Sequence, residues 1–187
     1  MWILPRSLAL AALLLALPAW ADQKAVAQPS QLDRLLKALL AAPSESIAAM
    51  LEGRIRALWV QQGSPAAALL LSRGERDLQN NADDEALADF DAALELEPEY
   101  AEGYNHRAVA RAALGNFAGA IRDIEEVLKR EPRHFSALEG LSHIAEQQRD
   151  WDGALKAWQK ALDIDPRTPG GLDRLEMLQK KVDGEAT

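Results

Sequence analysis

The sequence predicts an all-α fold, a superhelix of antiparallel helix pairs with an N-terminal helical hairpin and a C-terminal capping helix. Three observations carry this. Pro98, Pro132 and Pro166 stand at one fixed interval of 34 residues. Columns of small and bulky residues repeat at the same interval: Ala86, Ala120 and Ala154; Leu94, Leu128 and Leu162; Phe90, Ile124 and Trp158. The flanking stretches place apolar residues at the i, i+3, i+4 spacing of a helix. A fixed period of this length reads as stacked supersecondary units rather than one globular core.

Taken in order, residues 1–21 read as a secretory signal peptide. Arg6 and the amino terminus are positive, residues 7–17 are apolar, and Ala19-Trp20-Ala21 offers a cleavage site before Asp22. The apolar run is short for a membrane span; an uncleaved anchor is the alternative. The expected location is periplasmic or secreted. The chain contains no cysteine, which excludes disulfides, thiolate metal sites and thiol nucleophiles.

Residues 22–66 form a polar lead-in and a helical hairpin. Leu32, Leu35, Leu36, Leu39 and Leu40 mark its first helix, which Pro43 ends. Ser44 or Ser46 caps the second, whose apolar face holds Ile47, Met50, Leu51, Ile55, Leu58 and Trp59. The hairpin is expected to cover the apolar flank of the first repeat; a degenerate fourth repeat is the alternative.

Residues 67–168 divide into three copies, 67–100, 101–134 and 135–168. Small residues (Gly74, Ala108 and Ser142 on the first helix, the Ala86 column on the second) permit close helix approach. The prolines cannot continue a helix and disfavour helical backbone in the residue before them, so the second helices should end near residues 96, 130 and 164. In the first copy Asn81 and Asp83 stand where the middle copy has Gly115 and Phe117, which weakens packing at that turn. Residues 169–187 then supply one amphipathic helix, marked by Leu172, Leu175, Met177, Leu178 and Val182, to shield the last copy.

The stretch 67–168 resembles three tandem tetratricopeptide repeats (TPR), most clearly in the middle copy with Tyr104, Arg107, Ala108, Gly115, Phe117, Ala120, Ile124 and Pro132. The resemblance implies a right-handed TPR-like superhelix whose first helices line a concave, peptide-receiving groove. Carried over position by position, the candidate protein-binding residues are Leu71, Glu75, Leu78, Glu102, Asn105, His106, Val109, Glu139, His143 and Glu146. Relatives that grip a C-terminal carboxylate use Lys, Asn and Arg in this groove. Here Leu71, Glu75, His106, Ser136 and Gly140 occupy those positions, so that clamp is missing.

Charge and motifs narrow the function further. The net charge is −8, and the excess sits in the first copy, where Arg73 and Arg76 face ten acids. No basic stripe suits phosphate backbones or anionic lipid, so neither nucleic acid nor, after signal cleavage, membrane is expected as a partner. Nucleotide-binding, metalloprotease and serine-hydrolase motifs are absent from the sequence. Glu139, His143 and Glu146 with His106 are the one set that could hold a divalent metal, but the same residues are ordinary polar groove lining. The reading is therefore non-catalytic, without cofactor or metal. The expected partner is a protein or peptide, neutral to basic because the groove's charged candidates are all glutamates. The alternative is a structural subunit of an envelope complex that docks through its terminal helices or convex face.

Overall fold

A computed structural model describes residues 30–185 and contains nine helices among them: α1 (Gln31–Leu40), α2 (Glu45–Val60), α3 (Pro65–Gln79), α4 (Asp83–Leu96), α5 (Ala101–Ala113), α6 (Phe117–Arg130), α7 (Phe135–Gln147), α8 (Trp151–Ile164) and α9 (Gly171–Glu185). The expected signal peptide and most of the lead-in lie outside the described residues. The fold is the all-α superhelix of antiparallel pairs. α3/α4, α5/α6 and α7/α8 are the three repeats, and α9 closes the last of them.

Local chemistry explains the boundaries. Each second helix stops two residues before its proline, at Leu96, Arg130 and Ile164. Ser30 and Asp33 form a reciprocal capping box on α1, and Ser44, not Ser46, accepts the Ile47 N–H that opens α2. Ser64 with Pro65 starts α3. Inside each repeat the chain turns through one left-handed residue at the same register: Asn81 (φ 58°), Gly115 (φ 74°) and Arg149 (φ 61°). Asn81 thus takes over the glycine's conformation in the first copy, as a short polar side chain can.

The core is a row of clusters, one per repeat. Phe90 lies against Gly74, where an added Cβ would sit 2.5 Å from the ring, so only glycine fits there. Ala120, Ile124 and Val127 fill the middle repeat, and Trp158, Leu155 and Leu178 seal the last one under α9.

The hairpin departs from expectation. It does not cover the flank of the first repeat, whose core cluster contains no hairpin residue. Instead α2 crosses the concave side onto α5 and the start of α7, and α1 reaches α8. Leu36, Leu39, Leu51, Ile55 and Trp59 share one cluster with Phe135, and Ile164 packs against it. The reason is a better seat: Phe135 and its neighbours offer aromatic surface, whereas the first copy presents only alanine at that register, Ala67.

Candidate functional site

The concave face is built from α3, α5 and α7, and the ten candidate residues sort into three groups on it. Leu71 is a correction. It is 1% exposed and belongs to the core of the first repeat, because α3 turns that side toward Phe90. Leu78 is half-buried against the same core. Glu102 is the second correction: at 4% exposure it is sealed inside and offers a ligand nothing. Val109 stands 52% exposed on the groove floor.

Glu75, His106, Glu102 and His134 form a polar chain from the first repeat through the second to the edge of the third. His106 Nε2 faces Glu75 Oε1, and its Nδ1 lies 3.6 Å from Glu102 Oε1. Asn105 donates to that same oxygen. Glu102 Oε2 meets His134 Nε2 at 2.8 Å. The backbone N–H of Ala137 donates to His134 Nδ1, so Nε2 carries the proton and donates to Glu102. Burial opposes the charge on Glu102, yet His134 and His106 together hold its carboxyl below the usual value. Burial pushes His106 down, against the pull of Glu102 and Glu75, and so favours the neutral ring.

At the far end of the groove α9 intrudes. Arg174 pairs with Glu146 at 2.6 Å and donates to Ser142 and to Nδ1 of His143. Burial and the Arg174 charge both push His143 down. Glu139, mostly buried beside Glu52 of α2, is pushed up to about 7, chiefly by burial. The histidines therefore answer to different partners, and among the described residues no group of three or more His, Cys, Asp or Glu is placed to hold a metal.

Sequence reasoning missed the seat of α2. Trp59 stacks on His134 with ring centroids 3.8 Å apart, and lies 5.1 Å from Phe135. Arg56 covers the Phe135 ring, bonds Glu52 at 2.8 Å and donates to Ser136. Phe135 stands where the other copies have Ala67 and Ala101, and that break in a small-residue column was the available signal.

What α2 leaves open is a cleft of about 320 Å³ between α5 and α7, floored by Ala108, Val109, Ala112, Gly140 and Ile144. Asn105, His143 and Gln147 give it a thin polar edge. A second recess beside Glu75, Leu78 and His106 shares Asn105 and Val109 with it, so the two form one continuous trough from the first repeat to the third. Such a surface can hold apolar side chains, while Glu75, His106 and Asn105 at its edge are engaged in the polar chain.

Known proteins with the same pattern place the chain. A tetratricopeptide repeat profile matches residues 71–124 and 107–169, together more than half of the chain. A TPR repeat-containing protein of Rhizobium etli is 34% identical over 89% of this chain and 82% of its own length. Serine/threonine-protein phosphatase 5 of Rattus norvegicus is 32% identical over 103 residues, but the match spans only 19% of that enzyme. Among solved structures, the Sgt2 TPR domain from Aspergillus fumigatus superposes with a TM-score of 0.62 at 21% identity, covering 66% of this chain and 83% of that one. The first TPR of Spaghetti (RPAP3), bound to the HSP90 peptide SRMEEVD, gives 0.60 at 18% identity over 64% and 95%. On the profile match and the Rhizobium relative, supported by the fold, this chain belongs to the tetratricopeptide repeat family.

Proposed function

We propose that the protein is a non-catalytic interaction module of the periplasm or extracellular space that captures a protein segment in the open trough. One observation carries the proposal: the apolar floor of the cleft between α5 and α7, with Val109 exposed on it, meets the Leu78 recess of the first repeat at Asn105 and Val109. Apolar surface left bare inside a concave site marks a place where another chain is buried. The HSP90 peptide held by the RPAP3 domain supports peptide capture in general. Its C-terminal carboxylate chemistry does not transfer, since Leu71, Glu75, His106, Ser136 and Gly140 supply no Lys or Arg.

Of the four glutamates that suggested a basic ligand, three are engaged, Glu75 with His106, Glu102 with His134 and Glu146 with Arg174, and burial pushes the fourth, Glu139, toward its neutral form. Recognition then rests on apolar contact, and a neutral segment suits the trough best within the neutral-to-basic range. The N-terminal pattern of the sequence, Arg6 followed by an apolar run and Ala19-Trp20-Ala21, supports export. Among the described residues no helix is long and apolar enough to cross a membrane.

A second reading has its own observation. Leu40, Ile47 and Met50 on the hairpin, and Leu172 and Met177 on α9, are exposed. These would serve a subunit that docks through its terminal helices. Photo-crosslinking residues at Val109, Met50 and Met177 separate the two in the native compartment. Crosslinks to one defined partner from Val109 support the trough; crosslinks confined to Met50 or Met177 overturn it.

A further inference from the structure

α2 is itself an occupant of the concave face. Its buried stripe, Ala48, Leu51, Ile55 and Trp59, would be unremarkable but for Glu52 in its middle, which is 5% exposed. Arg56 holds Glu52 Oε2, but Glu52 Oε1 receives no hydrogen bond. Facing it is Asp165, in the turn after α8 and 1% exposed. Its Oδ1 accepts the Arg167 N–H, and its Oδ2 also receives no hydrogen bond. The two carboxyl groups lie within hydrogen-bonding reach of each other. Glu139 of α7 adds a third acid; Arg56 of α2 and Arg174 of α9 are the cations that act on that acid. At the other end of α2, His134 under Trp59 has both nitrogens engaged.

Two buried, facing carboxylates repel, and an unpaired buried oxygen is costly. One proton held between them removes both problems. We propose that the α1–α2 hairpin is a strap latched across the concave face by a proton shared between Glu52 and Asp165, and that loss of this proton releases the strap. Release bares Phe135 and His134 beside the open cleft, with which Ser136 is common lining, and so lengthens the surface for a partner. The consequence for binding rests on the trough reading above; the latch does not.

The direction of the pH effect follows from linkage. Burial and Glu52 push Asp165 up to about 7 from its ordinary 3.8. Glu139 moves the same way, to about 7. The closed strap therefore binds more protons than the open one between about pH 4 and pH 7. Closure is fully favoured below that window, weakens as pH rises through it, and stays weak above it. One proton changes the closed-to-open ratio by at most about tenfold per pH unit.

The test is amide exchange of the full chain at pH 5, 6, 7 and 8, corrected for intrinsic rates, with α6 as internal reference. The expected result is protection of residues 45–60 falling at least tenfold relative to α6 between pH 5 and pH 7. In a Glu139→Gln background, which removes that acid's own titration, Asp165→Asn, whose amide can donate to Glu52, should keep pH 5 protection at every pH. Glu52→Gln should do the same, and it decides the matter if Asp165→Asn does not fold. Protection of α2 that tracks α6 across the range overturns the latch, as does a fall that persists in the folded variants. No partner is present, so failure here leaves the trough reading standing, and failed partner capture leaves the latch standing.

Discussion

Asp123 shows how single side chains hold this scaffold. It is buried and takes two bonds from Arg107, at 3.0 and 2.7 Å, and one from Arg111 at 2.7 Å. Arg73 and Asp89 make the same pair one repeat earlier, and Leu141 and Ala157 replace it with apolar residues one repeat later. Removing one member of a buried pair strands the other, whereas replacing both with apolar residues is often neutral. Asp123→Ala should therefore cost about 3 kcal/mol in urea unfolding. Arg107→Leu combined with Asp123→Ala, which copies the third repeat, should recover most of that loss. A double variant no better than the single one would place the stability in the charges themselves. Ala120, fully buried between α5 and α6, tolerates no bulk. Ala120→Trp should lower stability by roughly 1–3 kcal/mol or unfold the middle repeat. Native helicity and melting temperature in that variant would refute the tight contact. Arg149 holds a left-handed backbone (φ 61°) that costs a residue with a Cβ roughly 1–2 kcal/mol. Arg149→Gly should thus leave the melting temperature unchanged or raise it, and a clear drop would mean that the side chain has a role in the turn.

At the scale of the element, the repeats and the two helices of the hairpin were legible, and the seat of the hairpin was not. Helix ends follow from proline chemistry, and the small and large columns follow from the period. Both are local or periodic facts that one sequence displays. An apolar stripe such as Leu51, Ile55 and Trp59 says that a face is buried, not against which surface. The destination of α2 depends on Phe135, His134 and Asp165, 75 to 113 residues beyond the α2 residues they meet, each of which looks ordinary alone. The groove residues divided for the same reason. Position in the repeat predicted the exposed floor at Val109, but only packing shows that Leu71 turns inward and that Glu102 is sealed by His134. The hairpin joins the repeats through the short link 61–64, where Tyr100 donates to Val60 O and its ring leaves room at Gly63 for no side chain. Trp59→Ala should therefore undock the hairpin as a unit, at about 3–5 kcal/mol of local stability. Amide protection should vanish across residues 31–60 while α5 to α8 keep theirs. Uniform loss along the chain would show that hairpin and repeats unfold together.

For the whole molecule, the superhelix presents two candidate faces with different chemistry. The convex side of the first repeat carries the acid excess, including the exposed Asp84. The concave side carries the apolar trough, partly filled by the chain's own helix. On the proposed function, the concave side receives the partner. The most direct measurement is the affinity of the crosslinked and identified partner for three forms of the full chain: native, Val109→Asp and Asp84→Lys. Val109 is exposed, so Val109→Asp should keep the melting temperature while putting an uncompensated charge into an apolar contact. At least a tenfold loss of affinity is expected for Val109→Asp, and less than a twofold change for Asp84→Lys. Undiminished binding by a folded Val109→Asp variant, with a large loss for Asp84→Lys, would contradict it and move the site to the convex face.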